Sequence, residues 1–321
     1  MTLDQLEAFV AVAEMGGYSR AAAALDRSQP TLSRLVRALE VEHRQAFFER
    51  NGRGVALTEA GRVLLAHGKG VLEQVDRTRQ ALEERRDSMV GKVVVGLPPT
   101  ATRIAAAPLV LAFKRRFPTA SISLVEGLSS VMQEWLLSGL VDLALVYESG
   151  ESPLLRLLPL AEVPIVLIGR TIEPALHRGV GRADLRRLPL IMPRRPNAIR
   201  SAVEAACNRD GMRLEVAFEV DAIAAVLDLA FRGAGYAVLP EFSTRGEGET
   251  RRFATAPLRP AMTASIALAV PTQRPLTRLG AATADLIESA VAPLLTSKPP
   301  RVRGRPASAA PGRPARRAAT P

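Results

Sequence analysis

Leu32, Leu35, Val36 and Leu39 recur at helical spacing and form one apolar stripe. At about 100° per residue, Ser33, Arg34 and Arg37 project from the opposite side, with Gln29 and Thr31 beside them in the first turn. Ser28 is placed to cap this helix, and Pro30 sits where a missing N–H costs nothing. A shorter helix precedes it, with Ser19 as its expected cap and Ala21 to Ala24 propagating it. Asp26 and Arg27 interrupt the pattern between the two. The stretch therefore predicts helix, tight turn, helix. After it, Asn51-Gly52 is a strong hairpin signal with Arg50 and Arg53 on either side. Thr58 then opens a long helical pattern running to about residue 88, in which Gly61, Leu64, Val71, Val75, Thr78 and Leu82 fall near a four-three seam. Gly68 and Gly70 weaken that seam. Such a helix either dimerises or packs on its own domain.

From Gly91, read as a hinge, to about residue 297, short apolar runs alternate with helical patterns, as in α/β domains. Strands are expected at 92–97, 122–126, 143–147, 163–168, 190–192, 214–218, 236–239 and 266–270. Helices are expected at 104–117, 129–138, 197–209, 221–231 and 276–295, with Pro98-Pro99-Thr100 as a loop.

The residue types on the polar helix face suit a duplex. Arg pairs bidentately with the guanine edge and Gln with adenine, while Ser and Thr hold phosphates or bases. A helix N-terminus favours phosphate, and a basic hairpin alongside suits a wing on the backbone or minor groove. The alternative from this stretch alone is an amphipathic helical hairpin with a solvated polar face. The hairpin that follows favours the DNA reading.

Charge sharpens this picture. The 321 residues carry a net +11, but residues 1–58 hold seven basic and seven acidic side chains, so that segment is neutral. Residues 298–321 hold seven basic residues and no acid, which is most of the excess. DNA binding by the N-terminal segment must rest on the placement of Arg34, Arg37, Arg50 and Arg53. One cysteine, Cys207, gives no internal disulfide framework and fits a reducing cytoplasm. Met1 leads straight into an amphipathic helix pattern without an export signal, and no run of about 18 apolar residues predicts a membrane span. Three histidines are scattered, and no HExxH, GxSxG, Walker or paired-cysteine pattern occurs. No enzyme, metal site or cofactor is expected.

Several motifs now stand at compatible spacing: Leu6, Phe9, Ala21-Ala22, Leu25, Ser28-Gln29-Pro30, Leu32-Ser33, Leu39-Glu40, Phe48, Arg50 and Leu57-Thr58-Glu59-Ala60-Gly61. Together they resemble the winged helix-turn-helix of the LysR-type transcriptional regulators. The resemblance implies a winged helix-turn-helix over 1–58, a linker and dimerisation helix over 59–90, and a two-lobed α/β effector-binding domain over 91–297, like a periplasmic solute-binding protein. Its lobes would be 92–162 with 267–296, and 163–266, followed by a disordered basic tail over 298–321. It further implies base reading around Gln29, Thr31 and Arg34, phosphate contact around Ser33 and a wing contact at Arg53, in a homodimer or homotetramer on double-stranded promoter DNA. RNA polymerase is a further partner if the protein activates. Two departures occur: His43-Arg44 where the family has Leu-Gly, and Phe47 where it has Leu.

In such α/β lobes a ligand sits at strand C-termini near helix N-termini. Thr100, Ser129 and Asn197 fall there, either as plain caps or as groups holding a small-molecule effector, and Tyr147 ends its strand at the same level. Trp135 reads as helix packing. Glu126-Gly127-Leu128-Ser129, Glu134-Trp135-Leu136 and Asp142-Leu143-Ala144-Leu145 resemble the subgroup related to the nitrogen assimilation control regulator, whose members need no small effector and can be governed by abundance. An exported solute-binding protein is disfavoured by the N-terminal module. In the tail, Arg303-Gly304-Arg305-Pro306 resembles the core of an AT-hook, with Gly312-Arg313-Pro314 a partial second copy. The segment is either a minor-groove element or a solubilising tail.

Overall fold

The computed structural model describes residues 1–51, 54–83, 89–148, 152–209, 211–245 and 253–296. The expectations for Gly52, Arg53 and the 298–321 tail lie outside the described residues, and Arg50 is described in its backbone alone.

Helix α1 (Leu3–Met15) starts from a reciprocal cap between Thr2 and Gln5 and stops at Gly16, whose φ of 64° is left-handed. That abrupt stop moves the next start forward. Helix α2 (Tyr18–Ala24) begins after Gly17, so Ser19 lies inside its first turn and is not its cap. Ala21 and Ala22 are buried and let neighbouring helices approach closely. Helix α3 (Gln29–His43) is capped by Ser28, which accepts the Thr31 N–H at 3.3 Å. Its Leu32, Val36 and Leu39 are fully buried against Phe9 and Phe47. It ends at Arg44, which adopts φ 53° and ψ 34° where a glycine would be unstrained.

Strands β1 (Phe48–Asn51) and β2 (Gly54–Leu57) form an antiparallel wing in the register Phe48↔Leu57 and Asn51↔Gly54. Thr58 caps α4 (Glu59–Glu83) by accepting the Gly61 N–H at 3.0 Å. The expected seam on α4 is split between two uses. Leu64, with Leu65 and Leu72, packs on the winged module, whereas Val71 and Thr78 are exposed, as is Val63. The glycines that weaken the seam serve close packing instead. A Cβ on Gly68 would lie 2.8 Å from the Leu6 side chain, and one on Gly70 would overlap the Ser138 carbonyl.

Beyond α4 come β3 (Gly91–Leu97), α5 (Pro99–Arg116), β4 (Ala120–Glu126), α6 (Ser129–Ser138), β5 (Leu143–Tyr147) and β6 (Leu155–Gly169). They are followed by β7 (Val180–Gly181), α7 (Arg182–Arg187), β8 (Leu190–Met192), α8 (Ala198–Asn208), β9 (Phe218–Glu219), α9 (Ile223–Phe231) and β10 (Tyr236–Pro240). The chain closes with β11 (Ala254–Arg259), β12 (Thr263–Pro271), α10 (Arg278–Ala290) and α11 (Ala292–Thr296). The strands line up as β4-β3-β5-β12-β6-β10-β8-β9. Two lobes share this order through β6. Its residues 155–164 pair with β12, and residues 165–169 pair with β10 and β11. The β12 ladder on β6 starts at Thr263↔Pro164.

Several elements differ from expectation. Thr100 is not in a loop: α5 starts at Pro99, with Pro98 and Pro99 in the positions where an N–H is dispensable. The strand expected at 163–168 runs fifteen residues, because Pro159 sits at a register shift and costs no ladder bond there. The 214–218 strand shrinks to Phe218–Glu219, the pair that meets β8. The closing helix breaks at Val291, ahead of Pro293. By length and composition Arg278–Thr296 would suffice to cross a membrane. Here Leu279, Thr283, Ile287, Val291 and Leu295 bury one stripe of it in the first lobe.

In the second lobe Arg200 is buried. It donates to Glu204 at 2.8 Å, to Glu219 at 2.6 Å and to the Pro193 carbonyl at 2.9 Å. Burial pushes the Glu204 carboxyl up, but hydrogen bonds from Arg195 and Arg200 outweigh it and hold the group below its ordinary range. With its folded pKa depressed, Glu204 stabilises the fold above its unfolded pKa, and this is lost as pH falls through the folded value.

Two outcomes are expected. Arg44→Gly, by relieving the left-handed backbone, should raise the stability of the winged module by about 1 kcal/mol in thermal denaturation. Glu204→Gln should lower denaturant resistance of the α/β region by about 3 kcal/mol at neutral pH, with the gap to the unmodified protein closing as pH falls into the acid range.

Candidate nucleic-acid interface and inter-lobe cleft

The α3 stripe that buries Leu32, Val36 and Leu39 turns Gln29, Ser33 and Arg37 outward at successive turns. All three are exposed and line an open cleft of about 670 Å³ between α2, α3 and the wing. Gly16, Gly17, Tyr18, Ser19 and Arg20 form its second wall, and Phe48, Glu49 and Val55 its third. Pro30 and Arg34 are exposed on the neighbouring face, outside that cleft. Ser28 and Thr31 lock the first turn, their hydroxyls 2.8 Å apart. The predicted residues of α3 thus form two adjacent faces of the helix.

The wing is held to α3 by a carboxylate. Glu40 accepts the Phe47 N–H at 2.8 Å and the Phe48 N–H at 3.3 Å. On the other side the Thr58 hydroxyl donates to the Ala46 carbonyl at 2.7 Å, and the Thr58 N–H to the Phe47 carbonyl at 3.1 Å. Gly61 lets α4 come so close that a Cβ would overlap the Phe47 carbonyl. Rings reinforce the joint: Phe9 lies 5.6 Å from Phe47 and 5.2 Å from Phe48, centre to centre, and Tyr18 lies 6.0 Å from Phe48. Phe47, the departure from the family pattern, fills this core at 4% exposure. Arg50 lies on β1 opposite Val55, which puts it on the wing as expected.

Between the lobes, Thr100, Ser129, Tyr147 and Asn197 line one cavity, with Pro98, Leu128, Asp221 and Leu239 among its other walls. Its volume is about 30 Å³, the size of a water-filled void. The Thr100 and Tyr147 hydroxyls are 2.5 Å apart, and Ser129 accepts the Tyr147 N–H at 3.0 Å. Burial pushes the Tyr147 phenol far above its ordinary range, so it stays a neutral O–H. Ser129 is therefore not the cap of α6, a position held by Leu128 without a side-chain bond. Asn197 is the cap of α8, accepting the Arg200 N–H at 3.1 Å. A wider cleft of about 350 Å³ adjoins the void and shares Leu128, Ser129, Asn197 and Ala198 with it.

A helix-turn-helix with a pinned wing, joined by one helix to two α/β lobes, has clear counterparts among known proteins. Residues 3–62 match the model for the bacterial regulatory helix-turn-helix protein, lysR family, and residues 86–292 that for the LysR substrate binding domain. The chain is a LysR-type transcriptional regulator. It is 29% identical over 293 residues to the nitrogen assimilation regulatory protein Nac of Escherichia coli (strain K12), spanning 91% of this chain and 95% of Nac. It is 31% identical over 244 residues to the HTH-type transcriptional regulator BbuR of Bordetella bronchiseptica, spanning 74% of each. The crystal structure of CbnR, a LysR family transcriptional regulator, superposes with a TM-score of 0.67 at 25% identity, over 91% of this chain and 99% of CbnR. Full-length CbnR complexed with its target DNA gives 0.66 at 25% identity, over 90% and 100%.

As a DNA-binding member of this family, the regulator presents residues that the sequence reading missed. Tyr18 and Arg20 border the α3 cleft, and Glu49 brings a negative charge to it. The Gly16-Gly17 pair was the available signal, since it marks the turn where α1 stops and α2 begins. Gln29→Ala and Arg34→Ala should each reduce discrimination between operator and mutated operator by about 1–3 kcal/mol at constant salt. Competition binding on matched duplexes measures this, and unchanged sequence preference would remove these two residues from base reading.

Proposed function

We propose that this regulator, as a homodimer or homotetramer in the cytoplasm, reads promoter DNA with α3 and the wing and is switched by a small anionic molecule held between its lobes. Gln29, Thr31, Ser33, Arg34 and Arg37 meet the duplex from α3, and Arg50 and Arg53 meet its backbone from the wing. The exposed Val63 and Val71 on α4 suit pairing with a second copy. RNA polymerase is the partner where binding activates.

The observation that carries the effector reading is convergence: four side chains from separate stretches of sequence line a single inter-lobe void. Hydrogen-bond accounting gives the ligand its chemistry. Thr100, Ser129 and Tyr147 own three hydroxyl protons, and the Thr100–Tyr147 bond uses one. Two donors are left for a ligand rich in acceptors, such as a carboxylate. Because the void is water-sized, such a ligand must part the lobes from the adjoining wider cleft, which makes its binding a shift between two lobe arrangements.

The same small void favours a second reading, in which no effector enters and abundance alone sets occupancy of the DNA. The relation to Nac is compatible with it. Thermal-shift screening of small carboxylates and phosphates, followed by footprinting, separates the two. On the first reading a hit changes the footprint, and Thr100→Val and Ser129→Ala abolish the shift. A full panel without any hit, or hits that never alter the footprint, supports the second.

The tail adds affinity without sequence reading. Removing residues 298–321, with their seven basic side chains, should flatten the slope of log affinity against log salt by about 0.9 for each phosphate the tail had neutralised. An unchanged slope would exclude the tail from DNA.

A further inference from the structure

Helix α6 and strand β5 run side by side between two places of interest. At one end Ser129 accepts the Tyr147 N–H in the inter-lobe cleft, and Tyr147 meets Thr100. At the other end the turn 139–142 meets the linker helix α4. There Asp142 lies 2.6 Å from the Arg77 guanidinium, with both side chains about nine-tenths buried. Arg77 also donates to the Gly139 carbonyl. The second Asp142 oxygen accepts the Val94 N–H at 2.7 Å, so the carboxylate is fixed to β3 as well. Arg274 ties the same turn from behind, donating to the Val141 carbonyl at 2.6 Å and the Leu136 carbonyl at 3.2 Å.

The two elements are matched in length. Ten residues of helix and five of strand each span about 15 Å. Both are stiffly embedded. Every residue of β5 is buried, and Met132 and Leu136 of α6 have no exposure. Gly96 of β3 fits beneath them so closely that a Cβ there would sit 2.9 Å from Ala144. A close-packed pair of this kind moves as a unit and not by local yielding.

We propose that residues 129–147 form a lever that reports the state of the cleft to α4, with Arg77–Asp142 as the latch joining lobe I to the DNA-binding module. The proposal rests on the inter-lobe cleft as the regulated site. A ligand that accepts from the Ser129 hydroxyl pulls on the same oxygen that holds the Tyr147 N–H, and the lever carries that displacement to the turn 139–142. Release of Arg77 from that turn loosens the second half of α4 on lobe I, which it still meets where Gly70 abuts Ser138, while Leu64, Leu65 and Leu72 keep the helix on the winged module. The orientation of the module relative to the lobes then changes with the cleft. Arg77 is a positioning residue in this scheme, acting on DNA only through α4.

The test needs no effector. Amide hydrogen exchange is measured on the full chain with Ser129→Ala, alone and combined with Arg77→Gln/Asp142→Asn. Ser129→Ala alone should speed exchange over residues 69–79 by about fivefold, leaving α8 and α1 unchanged. In the Arg77→Gln/Asp142→Asn background it should add nothing over 69–79. Where that pair fails to fold, Arg77→Lys keeps the charge but loses the Gly139 bond, and replaces it. No change over 69–79 from Ser129→Ala, an equal change in both backgrounds, or a rise spread through α1 and α8 would each overturn the lever. Since no ligand enters this experiment, its failure leaves the effector reading to the thermal-shift screen, and failure of that screen leaves the lever standing or falling here.

Discussion

The architecture depends on how closely the backbone of α4 can be approached. Within about three turns, Gly61, Gly68 and Gly70 bring it against the Phe47 carbonyl, the Leu6 side chain and the Ser138 carbonyl. A side chain at any of the three would collide with a neighbour, and at two of them that neighbour is backbone, which cannot rotate aside. One helix is thereby docked on the wing, on α1 and on the first lobe. Glycine lowers intrinsic helix stability by about 1 kcal/mol each. The tertiary packing on either side offsets that, so α4 owes its stability to what it joins.

This explains why some elements were legible in the sequence and others were not. The α3 stripe, its Ser28 cap and the wing followed from periodicity and turn chemistry, because each is decided by residues a few positions apart. The glycines of α4 read as weak points for the opposite reason: their use depends on Leu6 and Ser138, far along the chain. The same holds for β6, where the extension through Pro159 depends on the register shift on β12. Ser129 shows the point at a single atom. Its place at the head of a helix suggests a cap, yet the nearest demanding donor is the Tyr147 N–H, eighteen residues on. Thr100, Ser129, Tyr147 and Asn197 were found as strand ends and helix starts. That they share one void is a property of the lobes' packing.

Electrostatics in this protein is local. The winged module carries no net charge, and several of its charges are committed internally. Arg27 pairs with Asp4 and Glu7, and Glu40 is spent on the wing's amides. What faces outward from α3 is a short set of donors. In the lobes the pattern is similar, with Arg200, Glu204 and Glu219 satisfying one another between α8 and β9. Excess positive charge and exposed α3 donors thus lie in different stretches of chain.

Strand β6 sets a limit on how the two lobes can be handled. Its fifteen residues extend about 50 Å and supply a ladder partner to each lobe in turn. A cut near residue 163 would part β12 from residues 155–162, its ladder partners, while residues 165–169 would stay with β10 and β11. The first lobe thus draws its strands from both sides of such a cut, and the pair must be produced and inherited together. Relative lobe movement has to twist this common ribbon, so its stiffness, and not an open linker, governs how far the lobes can part.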